Sequence, residues 1–418
     1  MHITAGEEDP TMKPVISWAL EPAERLVYGS FVDCNVAEAW VGDQLRIFTG
    51  KYGEDPVWGE ARDLKYADGS NAPAAFATPA GGFVEVELPQ NAAPGTSGLH
   101  GAVWFESVYA PLAEPPGGVL FALYHNENYP QTLPFDDRTG EGYRPDNWPP
   151  GLQGEGSVQA VCRIGIMSSA DGGRSWTDRG ILLEDRQPRL VGSPVNANYT
   201  FPGGVGDPSA VACGDHLYVF YGEYGYPGEF EPSTWDPAVE ASGQCISVAR
   251  IALADLADPV GQARRWDGTG FGADPDGIGV PIAALQLSEA DGGGPVSAGD
   301  RSFHWGPSVS WNDHLEAWVM TFGRVDSEFW AGDSVWISFN SHPDLGEGAN
   351  SQDWSVPELL FRKPGHTLWY PSLQPLATDD DVAERRTAVR LGRQARLWVK
   401  DLGPSTHRYL SEHVITFG

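Results

Sequence analysis

A short turn followed by an apolar strand recurs three times along this chain. Gly42-Asp-Gln-Leu leads into Arg46-Ile-Phe-Thr-Gly-Lys-Tyr-Gly, Gly214-Asp-His-Leu into Tyr218-Val-Phe-Tyr-Gly-Glu-Tyr-Gly, and Asn312-Asp-His-Leu into Glu316-Ala-Trp-Val-Met-Thr-Phe-Gly-Arg. Gly-Asp and Asn-Asp tolerate the positive φ that a two-residue hairpin demands. A second recurrence is Asp207-Pro-Ser-Ala, Gly306-Pro-Ser-Val and Tyr370-Pro-Ser-Leu. Proline fits the first position of a strand, where no N–H is needed. Adding Phe31-Val-Asp-Cys-Asn-Val and Trp104-Phe-Glu-Ser-Val-Tyr gives five units, starting near residues 31, 104, 207, 306 and 370. Their spacings of 73, 103, 99 and 64 residues imply long loops inserted into a common unit.

The 51 Gly and 34 Pro of 418 residues are scattered without a period. They suit many short strands joined by many turns. Radial repetition of such units predicts an all-β fold, a five-bladed β-propeller of four-stranded antiparallel blades, with residues 1–418 forming one domain. Cys245-Ile-Ser-Val-Ala-Arg and Ser334-Val-Trp-Ile-Ser-Phe read as third strands, and Trp354-Ser-Val-Pro-Glu-Leu-Leu-Phe as a fourth. Val15-Ile-Ser-Trp-Ala-Leu, about residues 15–20, is expected to close the ring by joining the last sheet. Ser169-Ala-Asp-Gly-Gly-Arg-Ser-Trp fits S-x-D-x-G-x-x-W and resembles the Asp-box of sialidases and other propellers. There Asp171 would accept backbone N–H bonds within the turn while Trp176 packs between strands.

Antiparallel order sorts the loops. The Gly-Asp turns and Asp171 fall at the lower end, and the long segments 130–156, 186–204, 225–243 and 265–304 at the upper end, where each innermost strand begins. Long loops on a rigid scaffold are where binding sites are built. His216 and His314, in lower turns, read as structural. The net charge of −30 repels phosphate backbones and anionic lipid, so nucleic-acid and membrane partners are not expected. The four cysteines, Cys34, Cys162, Cys213 and Cys245, have no metal-type spacing, so no metal site is expected from them. Free thiols slightly favour a cytoplasmic location over secretion with the signal outside this chain. Oligomeric state is not legible.

Carboxylates gather at the predicted upper ends: Asp33, Glu106 and Asp207 at the starts of innermost strands, and Glu223 at the end of a second strand. His125, Glu127, Trp305, Arg324, Trp369 and Tyr370 lie nearby as candidate substrate contacts. Paired carboxylates with aromatic walls are what glycosidic bond cleavage needs. One protonates the leaving oxygen, the other activates water or attacks the anomeric carbon, and aromatic faces stack on sugars. The inner positions differ from unit to unit, which favours a single asymmetric site over a lectin-like repeat. The alternative is a non-catalytic glycan- or protein-binding propeller.

Five units with acidic residues at these places resemble the five-bladed β-propeller glycoside hydrolases: arabinanases, arabinofuranosidases, xylosidases and fructan hydrolases. The resemblance implies a glycoside hydrolase acting on a glycan such as an arabinofuranose-containing polysaccharide, with Asp33 as base or nucleophile. It implies no cofactor, while a structural calcium ion in the central channel is compatible with it. Gly206-Asp207-Pro208 keeps the Asp-Pro of the fructan enzymes but not their preceding Arg, and the arabinanase Glu-Gly-Pro has no match. The acid is therefore Glu106 or Glu223. Glu106 is favoured, because strand alternation would leave Trp104 on its side of the sheet and so shield it from water.

Overall fold

The computed structural model describes residues 18–20, 24–26, 34–49, 64–70, 72–78, 82–90, 99, 102–111, 118–128, 161–185, 204–224, 244–288, 294–295, 302–326, 330–376, 389–403 and 409–418. Five sheets form the blades of a β-propeller. Blade I holds Ala37–Val41, Gln44–Thr49, Lys65–Gly69 and Val84–Glu85. Blade II holds Ala102–Tyr109, Leu120–Asn128, Val161–Ser169 and Thr177–Leu183. Blade III runs Val205–Cys213, His216–Glu223, Cys245–Ala252 and Arg264–Trp266. Blade IV runs Phe303–Asn312, Ala317–Val325, Ser334–Asn340 and Glu358–Arg362. Blade V runs Leu368–Pro375, Gln394–Asp401 and Tyr409–Phe417, closed by Trp18–Leu20 in antiparallel register, Trp18 opposite Phe417. The expected N-terminal closure is therefore present, and Glu24–Leu26 pairs with the same strand.

Two further details depart from four plain antiparallel strands per blade. Blade III adds a fifth strand, Phe271–Ala273, so the start of the segment expected to be an upper loop over 265–304 is instead sheet. The cause is Asp267, whose Oδ1 accepts the Thr269 and Gly270 N–H groups at 2.8 and 2.9 Å and closes a hairpin. In blade IV, Arg390–Leu391 runs parallel to the innermost strand, Trp311 opposite Arg390. The other long segments, 130–156, 186–204 and 225–243, lie almost wholly outside the described residues. Among the described residues the α-helix is a single turn and a half, Ala72–Phe76, and no helix is long and apolar enough to cross a membrane.

Blades pack through apolar faces supplied by alternate strand residues. Between blades I and II, Phe48, Phe105 and Trp176 meet edge to face or tilted, with centroids 4.9–6.0 Å apart. Trp176 reaches that position from the Ser169–Trp176 turn. Asp171 Oδ1 accepts the Arg174 and Ser175 N–H groups, each at 3.0 Å, and Trp176 Nε1 donates to the Gly173 carbonyl at 3.0 Å. Gly173 has φ +86°, and a Cβ there would lie 2.6 Å from Phe48 Cζ. Arg46 clamps the turn to blade I, its Nη1 donating to the Gly172 carbonyl at 2.6 Å. Ser169 is opposite Leu120, the start of the second strand, so this turn sits at the lower end, away from the start of Val205–Cys213.

Near their upper ends the innermost strands of blades II to V each carry a register shift, at Phe105/Ser107, Gly206/Ser209, Trp305/Ser308 and Trp369/Ser372. Asp207, Gly306 and Tyr370 have φ of +50°, +62° and +47° there. A bulge re-aims side chains that regular alternation would send into a blade interface. Just below it, a serine in each of these four blades accepts an N–H of the next blade. Ser107 takes Ala210, Ser209 takes Val309, Ser308 takes Leu373 and Ser372 takes Val36, at 2.9–3.4 Å. The Pro-Ser recurrence is thus an inter-blade fastening. Blade I has Asn35 at the equivalent place.

Candidate active site

The bulges bring Glu106, His125 and Asp207 together, with one donor or acceptor atom of each lying within 4.8 Å of the others. All three are buried. Asp207 is held on both oxygens. Tyr224 donates its hydroxyl to Oδ2 at 2.6 Å, Tyr370 donates to Oδ1 at 3.2 Å, and His125 Nδ1 lies 3.3 Å from Oδ1. A carboxylate is acceptor-only, so the Nδ1 proton belongs on the side facing Asp207. Burial, and next the charge of Asp207, push the Tyr224 hydroxyl well above its ordinary value, which keeps it a donor. Gly206 is what lets these groups converge. A Cβ there would stand 2.4 Å from the Tyr224 hydroxyl and 2.6 Å from His125 Cε1.

Glu106 is anchored from blade I. Asn35 gives Glu106 Oε2 both its backbone N–H and its side-chain amide, while Asn35 Oδ1 accepts the Ser372 hydroxyl at 3.0 Å. Asp33, two residues before Asn35, lies outside the described residues. The alternation that would set Trp104 beside Glu106 is broken by the shift between Phe105 and Ser107, and Trp104 instead joins an apolar cluster with Cys34, Ala102 and Trp398.

Beside Asp207 stands an aromatic wall. The Trp305 ring lies 5.0 Å from Tyr370, 5.9 Å from Trp369 and 6.4 Å from Trp330. Trp369 Nε1 donates to the Trp330 carbonyl at 2.8 Å, and Lys400 Nζ sits 5.2 Å over the Trp369 ring. Trp305 is 4% exposed, while Trp369 and Trp330 are half-buried and present the more accessible rings of this wall.

The other candidates have neighbours of their own. Glu223 is fully buried on blade III, where Arg265 Nη1 bonds its Oε2 at 2.6 Å and Asp185 at 3.5 Å, and the Gly279 N–H adds a third contact at 3.0 Å. Burial first, then Asp185, push the Glu223 carboxyl up, against the pull of Arg265. Arg324 turns to Asp326 at 2.8 Å, 5.7 Å from the Trp336 ring. Glu127 is buried opposite Ala102 and Cys162. The four cysteines are free thiols.

Sequence reasoning missed Asn35, Tyr224 and Arg265. Asn35 could have been found by aligning it with Ser107, Ser209, Ser308 and Ser372. Tyr224 lay in plain view within Gly222-Glu-Tyr-Gly. Arg265 falls in a segment whose composition predicts a loop.

Glu106, His125 and Asp207 form the group of metal-type ligands found among the described residues. Calcium takes six to eight oxygens. Here one of three donors is nitrogen, Asp207 already accepts hydroxyls on both oxygens, and Glu106 Oε2 already accepts two N–H groups. This set does not suit calcium.

No family model matches the chain, and no curated protein matches it. Among solved structures it is similar to a GH43_1 enzyme from Xanthomonas citri, at 13% identity over 94% of this chain and 89% of that one, TM-score 0.46. It is also similar to the arabinanase of Bacillus subtilis, at 9% identity over 96% and 97%, TM-score 0.42. A third is an α-L-arabinofuranosidase from Lactobacillus brevis, at 12% identity over 92% and 91%, TM-score 0.45. Identities this low concern the fold alone.

Proposed function

We propose that the chain is a glycoside hydrolase whose site is the upper axial mouth. The observation that carries this reading is the convergence of Glu106 and Asp207, from different blades, next to the Tyr370–Trp305–Trp369 wall. Glycosidases need two carboxyl groups on one pocket and a stacking surface for the ring. Glu106 is the acid. Its Oε2 accepts both Asn35 donors, so a transferable proton belongs on Oε1. A proton there also relieves repulsion from Asp207. Asp207, with donors on both oxygens, is the charged third group that orients sugar hydroxyls and Glu106. Asp33 is the base or nucleophile. His125, Trp369 and Tyr370 contact the substrate. The ion-paired Glu223 is left out of catalysis.

The substrate class to test first is an arabinofuranose-containing polysaccharide, followed by xylosides and fructans. Asp33→Asn, Glu106→Gln and Asp207→Asn should each lower turnover about 10²–10⁴-fold, the scale of lost acid–base catalysis, with thermal unfolding nearly unchanged. Wild-type turnover in all three rejects the assignment. A binding propeller would show saturable glycan binding with no hydrolysis in the unmodified protein.

A further inference from the structure

A second pocket opens around the axis at the lower end, opposite the carboxylate site. It encloses about 400 Å³, in the range of small-molecule sites. Counting three residues on from the fastening position of each blade gives Glu38, Ala110, Ala212, Trp311 and Pro375. Four of these five equivalent places are apolar, so the fold does not demand a carboxylate at the remaining one. Glu38, Ala110, Ala212 and Trp311 all line the pocket.

Glu38 is 5% exposed, and its Oε2 meets no hydrogen-bond donor among the described residues. Leaving a buried carboxylate without a donor is costly. Burial pushes this carboxyl well above its ordinary range, with Arg396, itself bonded to Glu412, pulling it back. The side-chain nitrogens of the pocket's two tryptophans and of Arg390 are engaged elsewhere. Trp311 Nε1 donates to Asp313 at 2.9 Å, Trp318 Nε1 donates to the His342 carbonyl at 3.0 Å, and Arg390 is paired with Asp313. The pocket therefore offers one unmet acceptor between apolar walls and two tryptophan rings whose centroids are 5.1 Å apart.

We infer that this lower pocket binds a primary ammonium group carried on a small apolar body, an aralkylamine or alkylamine side group, with Glu38 as its acceptor and Trp311 and Trp318 as its walls. The ammonium supplies the missing donors, and aromatic faces favour a cation. The net charge of −30 draws cations toward the protein.

Isothermal titration of the full chain with benzylamine tests this. Saturable one-to-one binding is expected, at least tenfold weaker for benzyl alcohol and for the Glu38→Gln variant, and abolished by Ala212→Phe, which fills the pocket. Asp207→Asn should bind benzylamine as the unmodified protein does, which separates this pocket from the upper site and from any hydrolysis there. Absence of saturable binding, equal affinity in Glu38→Gln, or a matching loss in Asp207→Asn overturns the proposal. Should Glu38→Gln fail to fold, Ala212→Phe and the alcohol comparison decide.

Discussion

Asn35 places two donors on one oxygen of Glu106, its backbone N–H at 2.7 Å and its side-chain amide at 3.1 Å from Oε2. In the other four blades the equivalent residue is a serine that fastens the neighbouring blade. Blade I thus departs from the repeat at the point where it touches the candidate acid. Asn35→Ser restores the fivefold pattern, removes the amide donor and keeps the backbone one. Hydrogen bonds to charged groups are worth about 1.5–3 kcal/mol. The variant should fold with near-normal unfolding temperature and lose roughly tenfold or more in kcat with KM little changed. An equal loss in KM, or a large fall in stability, would show Asn35 to be a substrate contact or a packing residue instead.

The acid assignment has its own test. Glu106→Gln should lose natural glycan hydrolysis yet recover much of its rate on a substrate with an activated leaving group, which needs no protonation. Selective rescue in Glu223→Gln, with none in Glu106→Gln, would exchange their roles.

Glu223 is predicted to matter for folding through Arg265. Arg265 is fully buried and meets Glu223, Asp185 and the carbonyls of Glu184 and Pro275. Removing one partner of a buried ion pair leaves an uncompensated charge, at a cost of about 3–5 kcal/mol. Arg265→Met should fall in that range by urea unfolding. Glu223→Gln keeps an oxygen for Arg265 and should cost far less, with turnover retained. Comparable losses in the two variants would mean that Glu223 is needed as an anion.

The propeller was legible because its punctuation repeats. Gly42-Asp and Gly214-Asp mark lower hairpins, and the Pro-Ser pairs mark upper bulges. Trp18–Leu20 was legible as a closing strand because an open last sheet would otherwise expose an edge. Blade II hid its bulge, since Phe105-Glu106-Ser107 lacks the proline, and the alternation drawn through it failed there. Glu223 looked like a site residue because its neutralising partner lies 42 positions away. Local pattern reads strand and turn, but an ion pair between separate strands exists only once the blade has formed.

Asp171 supplies a pH prediction whose sign can be worked out. Slight burial raises its carboxyl, but the Ser175 N–H and hydroxyl, the Ser169 hydroxyl and the Arg174 N–H outweigh it and hold the group at about 2, against an ordinary 3.8. A folded-state value below the unfolded one means that the ionised form stabilises the fold. That contribution is fully present above about pH 4 and is lost as pH falls through about 2. The group is exposed, so water screens part of the effect. Asp171→Asn should therefore be less stable than the unmodified protein at neutral pH, by about 1 kcal/mol for weakened turn hydrogen bonds. The gap should close between pH 4 and 2 in urea unfolding curves. A gap independent of pH would show that the turn relies on the shape of the side chain and not on its charge.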